Sequence, residues 1–340
     1  MRNALSALLL AGLLGTASVG AAQTVVGDKY HVIQVEKFTV DKSVDLPPEY
    51  FADLQKELVQ KLQESQKFSA VLGADAPADP HALCVGGMIT GFNPGSRAGR
   101  YFGGFGAGTA RLFAHVKYRD CGSGELVIEE KVIGMLSGGV FGGNAKNVSH
   151  DFAKTLADAT KLVLWKNLPK AGQAAEQEPA TVESDAKIVA LTSDNFAAGE
   201  QELNQLAAAG YHMVMFTPTG KNTAEARMEK LVDPAQKYEF RVLHTKLIGN
   251  LEKDLNNVAG EGYRLVPHTM SSMGGFSLIA ERTTGASGRS FQYRIQSALL
   301  MSNAEKNIRE SQGKGFELID TADLYGPRIV VMAKATGTAP

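Results

Sequence analysis

Cysteine, histidine and net charge are all scarce in this chain. Its 340 residues carry two cysteines, seven histidines and a formal net charge of −1. Cys84 and Cys121 are far from any Cys-x-x-Cys pattern, so no redox motif is present. The histidines are scattered, none in a paired metal-ligand spacing, and no Gly-x-Ser-x-Gly elbow occurs. Balanced charge leaves any electrostatic steering to local patches. After the N-terminus no stretch is long and apolar enough for a transmembrane helix. These shortages leave no recognisable catalytic constellation and imply no cofactor and no metal. Only residues assembled from distant loops could make an enzyme.

What the sequence does have is one motif written three times. KIVALT (187–192), YEFRVLH (238–244) and FQYRIQS (291–297) each open a unit that passes through a helical stretch to a glycine followed by an aromatic. Those pairs, Gly210-Tyr211, Gly262-Tyr263 and Gly315-Phe316, are 52 and 53 residues apart. The same shifts superimpose Glu200, Glu252 and Glu305, and Leu203, Leu255 and Ile308. Such repetition points to duplication, and stacked small units more often build binding or assembly surfaces than single catalytic centres. Each unit reads strand, helix, strand, turn, strand, over 187–231, 238–283 and 291–335. The first is weakest: Asn195 and Gly199 stand where the second has Leu247 and Leu251, and Ala226 to Leu231 reads as strand or helix. The glycines suit the left-handed residue after a last helical turn.

Residues 1–22 read as a secretory signal, with Arg2 before an apolar run too short to span a bilayer comfortably, and cleavage expected before Gln23. No cysteine follows that run, which argues against lipoprotein modification there. An exported, periplasmic or envelope-associated protein is expected. In an oxidising compartment Cys84 and Cys121 can pair; two free thiols are the alternative.

Residues 24–168 read as one α/β domain. Strand patterns fall at 30–38, 68–73, 82–92, 109–119 and 125–136, and helices at 49–66 and 145–165. Phe51, Leu54, Leu58 and Leu62 stripe the first helix. The order β-α-β-β-β-β-α indicates an antiparallel sheet with helices on one face. Residues 169–186, rich in alanine, glutamate, glutamine and proline, lack periodicity and read as a linker. The expected fold class is α+β: an N-terminal antiparallel sheet with two helices, then three β-α-β-β repeats.

The run ITGFNPGSRAGRYFGGFGAGTARL (89–112), with Asp120, Gly122, Gly124-Glu125 and GGVFGGN (138–144), resembles the bacterial family called domain of unknown function 4410. It departs from that family at Cys121-Gly122-Ser123-Gly124, where a threonine-glycine turn is usual. YEFRVLHTK (238–246), DLNNVAGEGYRLV (254–266) and LIAER (278–282) resemble the family called domain of unknown function 4177. Neither resemblance implies an activity or catalytic residues.

From Pro80 to Arg119 there is no acidic residue. Strand alternation in TARLFAHVKYR puts Arg111, Phe113, His115, Lys117 and Arg119 on one face. With Arg97, Arg100 and Tyr101 this is a candidate surface for an anionic envelope component or an acidic protein; counter-charges from Glu129 or Glu130 would make it an ordinary solvated face. Export argues against nucleic acid. Gly103 to Gly108 lacks the Gly-Lys-Ser/Thr ending of a nucleotide loop and precedes a strand. Phe102, Phe105 and Phe141, set among glycines, are a candidate apolar contact for a membrane or a second subunit. The expected function is a non-enzymatic envelope accessory or binding protein. The alternatives are an enzyme acting on an envelope polymer and a structural protein that self-assembles through strand edges.

Overall fold

The computed structural model describes residues 24–42, 44–46, 53–93, 111–135, 145–168, 181–219, 222–233, 235–285, 289–324 and 327–338. Residues 1–22, the start of the first expected helix and both glycine-rich loops lie outside them, as does most of the expected linker. The chain is mixed α+β, with several sheets and six helices among the described residues.

The N-terminal part comprises α1 (Val26–Lys29), β1 (Val32–Val35), β2 (Thr39–Val40), α2 (Leu54–Glu64), β3 (Ala70–Leu72), β4 (Leu83–Asn93), β5 (Arg111–Asp120), β6 (Leu126–Met135) and α3 (Ala145–Val163). Leu54, Leu58 and Leu62 bury one face of α2, and α3 packs beside it with Phe152 and Leu156 buried. In β5, Leu112, Ala114, Val116 and Tyr118 alternate into the same core.

The sheet is not the purely antiparallel one expected. Its order is β3-β1-β4-β5-β6, with β2 on β4. β1 runs parallel to both β3 and β4, and β2 runs parallel to β4; only β4-β5-β6 is antiparallel. The reason is connectivity. Helix α2 carries the chain back to the end at which β1 began, so β3 enters in the same direction. β5 and β6 are instead joined by a tight turn in which Asp120 Oδ1 accepts hydrogen bonds from the Gly122 and Ser123 amides, and Gly124 adopts φ +73°.

The C-terminal part comprises β7 (Thr181–Thr192), α4 (Phe196–Ala208), β8 (Tyr211–Pro218), β9 (Thr223–Leu231), β10 (Tyr238–Thr245), α5 (Ile248–Gly260), β11 (Arg264–Leu265), β12 (Phe276–Thr283), β13 (Arg289–Ala298), α6 (Met301–Gln312), β14 (Glu317–Asp323) and β15 (Arg328–Thr338). They form three antiparallel sheets, ordered β7-β9-β8, β10-β12-β11 and β13-β15-β14. Two boundaries differ from the sequence reading. Residues 181–186, read as the end of the linker, are strand, with Thr181 opposite Leu231 and Val182 opposite Lys230. Ala226 to Leu231, which the sequence allows as strand or helix, belong to β9; that strand is central in its sheet and buries Ala224, Ala226 and Met228. Gly210, Gly262 and Gly315 have φ of +88°, +89° and +81°, a conformation that lets the chain leave each helix without a Cβ clash.

Sheets and helices alternate. Leu203 and Ala207 of α4 share a core with Val189 of the first sheet and with Phe240 and Ile279 of the second. Leu251 and Leu255 of α5 pack with Leu278 of the second sheet and with Tyr293 and Ile295 of the third. Ala304 and Ile308 of α6 pack with Met332 of the third sheet and with Leu162 and Trp165 of the N-terminal part.

A polar device accompanies each of the first two junctions. Asn204 Oδ1 accepts from the Phe240 amide (2.8 Å), and its Nδ2 donates to the Phe240 carbonyl (2.9 Å). Glu200 accepts from the Val242 amide (2.7 Å) and pairs with Arg241 (3.0 Å). One unit later, Asn256 makes the same two bonds with Tyr293 (2.7 and 3.0 Å), and Glu252 accepts from the Ile295 amide (2.7 Å). An edge strand has backbone groups that its own sheet leaves unmet. Here the preceding helix supplies their partners.

Candidate functional site at the junction of N- and C-terminal parts

Where the N-terminal sheet meets the C-terminal sheets there is a cavity of about 130 Å³. Its walls come from β5, β6 and α3, from Pro218 at the end of β8, from the 268–273 loop, and from β14 and β15. One side is apolar, built from Val132, Ile133, Ala159, Leu162, Met273 and Leu324. The remainder is mostly polar or charged.

The charges form two chains. In the first, Lys166 donates to Glu130 (2.5 Å), Glu130 lies 3.7 Å from His268 Nε2, and His268 Nδ1 lies 3.2 Å from Asp320. The His268 backbone amide also donates to Asp320 (2.8 Å), whose side chain is fully enclosed. Burial works against a charged imidazole at His268. The facing Asp320 carboxylate outweighs it, with help from Glu130, and holds the His268 pKa above its usual value. Burial likewise opposes ionisation of Asp320, yet His268 and its backbone amide hold that pKa below the normal carboxylate value. Protonated His268 beside ionised Asp320 is thus the arrangement this geometry favours.

In the second chain Arg328 reaches Asp158 (3.1 Å) and Asp323 (2.7 Å), and Asp158 also pairs with Lys161. Arg328 is largely buried, which opposes its charge, but Asp323 and Asp158 raise its pKa nonetheless. Lys131 donates to the Val214 carbonyl (2.7 Å), and Arg111 donates to the Pro218 carbonyl. The cavity can therefore receive a group with an apolar body and a polar end, and its titratable residues are engaged with one another or with backbone carbonyls.

The strand expected to present a basic face has a different disposition. Its alternation is present, but Arg111 is only 4% exposed and serves the junction. The C-terminal sheets cover this end of β5, which a one-strand pattern does not register. Lys117 and His115 lie 3.7 and 3.9 Å from Glu129, and Arg119 lies 3.5 Å from Glu36. The remaining basic residues thus meet acidic counterparts at their own surface. Arg97, Arg100, Tyr101, Phe102, Phe105 and Phe141 lie outside the described residues. Cys84 and Cys121 form a disulfide with Cα atoms 5.2 Å apart, because β4 brings Cys84 opposite Arg119 and Cys121 follows directly after β5.

Residues 33–192 match the family model Domain of unknown function (DUF4410). The matched span runs from β1 to the end of β7 and includes every N-terminal wall of the cavity. No curated protein matches the chain. Among solved structures, a PelC dodecamer from Paraburkholderia phytofirmans is similar at 12% identity and TM-score 0.28, over 40% of this chain and 92% of that one. Protein XCC0632 from Xanthomonas campestris is similar at 15% identity and TM-score 0.26, over 43% and 86%. A putative neuraminyllactose-binding hemagglutinin homolog from Helicobacter pylori is similar at 12% identity and TM-score 0.24, over 42% and 87%.

Several of the residues gathered here escape sequence reading. Glu130 is one of an adjacent acidic pair: Glu129 faces Lys117, while Glu130 turns inward to Lys166 and His268. His268 lies in the loop between β11 and β12, and Asp320 in β14 of the next sheet. The other histidines of the C-terminal part serve packing: His212 is buried against Glu281 (2.9 Å) and Tyr238, and His244 lies against Phe196. Asn204 and Asn256 could have been found, since the shift of 52 that superimposes Glu200 on Glu252 superimposes them too. Among the described residues, no group of three or more His, Cys, Asp or Glu is arranged to hold a metal, and no helix is long and apolar enough to cross a membrane.

Proposed function

We propose that this is an exported, non-enzymatic binding protein of the cell envelope, in which the DUF4410 segment and three duplicated β-α-β-β units form one interaction platform. On this reading residues 1–22 are removed on export, and the C-terminal units are of the domain of unknown function 4177 kind. The partner is an envelope protein or an anionic envelope component. The junction cavity takes part of it.

The observation that carries this reading is the state of the titratable groups on and behind the cavity wall. Lys166, Glu130, His268 and Asp320 form a continuous chain, and Arg328 is held between Asp158 and Asp323. A general acid or base needs a group free to reach a substrate proton. Here the charged groups are engaged with one another, which suits recognition better than proton transfer.

A photo-crosslinking residue at Ser272, which lines the cavity, tests this in intact envelopes. A dominant cross-linked partner that also resists mild salt washing is the expected result. Turnover of an envelope polymer that disappears in His268→Asn would replace this reading with an enzymatic one. The N-terminal sequence of the exported protein should begin at Gln23; an intact Met1 would remove the export step.

A further inference from the structure

We infer that the outer edge of β7 is a docking site for a helix of a partner protein, one that carries Glu and Asn four residues apart. The inference is independent of the junction cavity. It rests on an interface that the chain builds twice within itself.

β7, β10 and β13 are each an edge strand of a three-stranded sheet. For β10 and β13 the outer edge is occupied. Phe240 and Val242 are met by Asn204 and Glu200 of α4, and Tyr293 and Ile295 by Asn256 and Glu252 of α5. Bond lengths at the two sites agree to within about 0.1 Å, so this is one recognition geometry used in two places. The 52-residue shift between units maps Phe240 and Val242 onto Ile188 and Ala190 of β7. No helix precedes β7 in the described C-terminal part. Phe240 is fully buried under α4, whereas Ile188 is 54% exposed and Ala190 is exposed. Val182, earlier on the same strand, is 42% exposed. An edge strand that exposes apolar side chains with no helix over them among the described residues is a template for a further element.

The chemistry of the occupant follows from the two filled sites. A carboxylate accepts one strand amide. A carboxamide four residues later, hence on the same helix face, both accepts from and donates to the strand. Small and aliphatic residues between them pack on the strand, as Leu203 and Leu255 do. Among the described residues, a second copy of this chain has no such helix to offer. α4 and α5 are engaged internally. In α6, Glu305 is bound by Lys67 of the N-terminal part (2.7 Å), and Arg309, at the Asn position, stacks on Trp165. The end of the array that could extend a further sheet is therefore closed by the chain itself, and the β7 end is the one left to a partner.

A hydrocarbon-stapled helical peptide spanning residues 195–209, which contains Glu200 and Asn204, serves as the probe for the full-length mature protein. Saturable binding is expected. It should weaken at least tenfold when the peptide carries Glu200→Gln with Asn204→Ala. It should weaken equally when the protein carries Ile188→Glu, a surface change that leaves the thermal midpoint of the unliganded protein unaltered. No saturable binding, or binding indifferent to both sets of changes, would overturn the inference. So would a dimer of the protein that dissociates on Ile188→Glu, since the edge would then belong to a second copy.

Discussion

Asn256→Ala tests the edge-reading device where it can be measured residue by residue. The side chain makes two bonds to the Tyr293 backbone and one to the Glu252 carbonyl. Tyr293 itself is 3% exposed. Truncation leaves a buried N–H and a buried C=O without partners, at about 1–3 kcal/mol for each such group before relaxation. Partial entry of water brings the expected sum to about 2–4 kcal/mol. This should appear as easier opening of β13 rather than uniform loss of stability, because the third sheet keeps its own ladder with β15. Native-state amide exchange should therefore accelerate about 30- to 700-fold at Tyr293 and Ile295, using tenfold per 1.4 kcal/mol. Exchange in β4 and β5 should stay near wild type. Asn257→Ala, one residue along on the exposed face of α5, is the control and should change little. Acceleration at Tyr293 of less than about threefold, or equal acceleration in Asn257→Ala, would refute the claim that Asn256 secures the edge.

Three further outcomes follow from other parts of the molecule. The folded His268 pKa lies above its unfolded value near 6.5, so its contribution is fully present below that pH and is lost as pH rises through the folded value; Asp320, held low, contributes above its unfolded value near 3.8 and loses this as pH falls further. Thermal midpoints should thus decline as pH rises past about 6.5 and through the folded value, and His268→Asn, which suits the residue's positive φ of +61°, should flatten that decline. Reduction of the Cys84–Cys121 bridge releases a closure of 37 residues and should cost about 3–4 kcal/mol by loop entropy, read as a lower denaturation midpoint of the N-terminal part in reductant. Gly134→Ala should destabilise by about 1–3 kcal/mol in chemical denaturation, since a Cβ there would lie 2.3 Å from the ring of buried Phe152.

Much of this protein is legible in local pattern. The leucine stripe of α2, the alternation of β5 and the glycine-aromatic pairs each arise from forces acting over a few residues: side-chain periodicity and the steric freedom of glycine. Those rules place the elements and mark the recurrence of Glu200 at Glu252. They do not reveal that β1 runs parallel to its neighbours, because strand direction is set by where α2 returns the chain. They do not reveal that Arg111 leaves the basic face for the junction, since that depends on Pro218, more than a hundred residues later. The ion chain is the clearest case. Lys166, Glu130, His268 and Asp320 sit on four separate segments with nothing in their spacing to connect them. Coulomb attraction and burial act through space, so only the packed arrangement of the sheets decides which charges meet and which strand edge is left open.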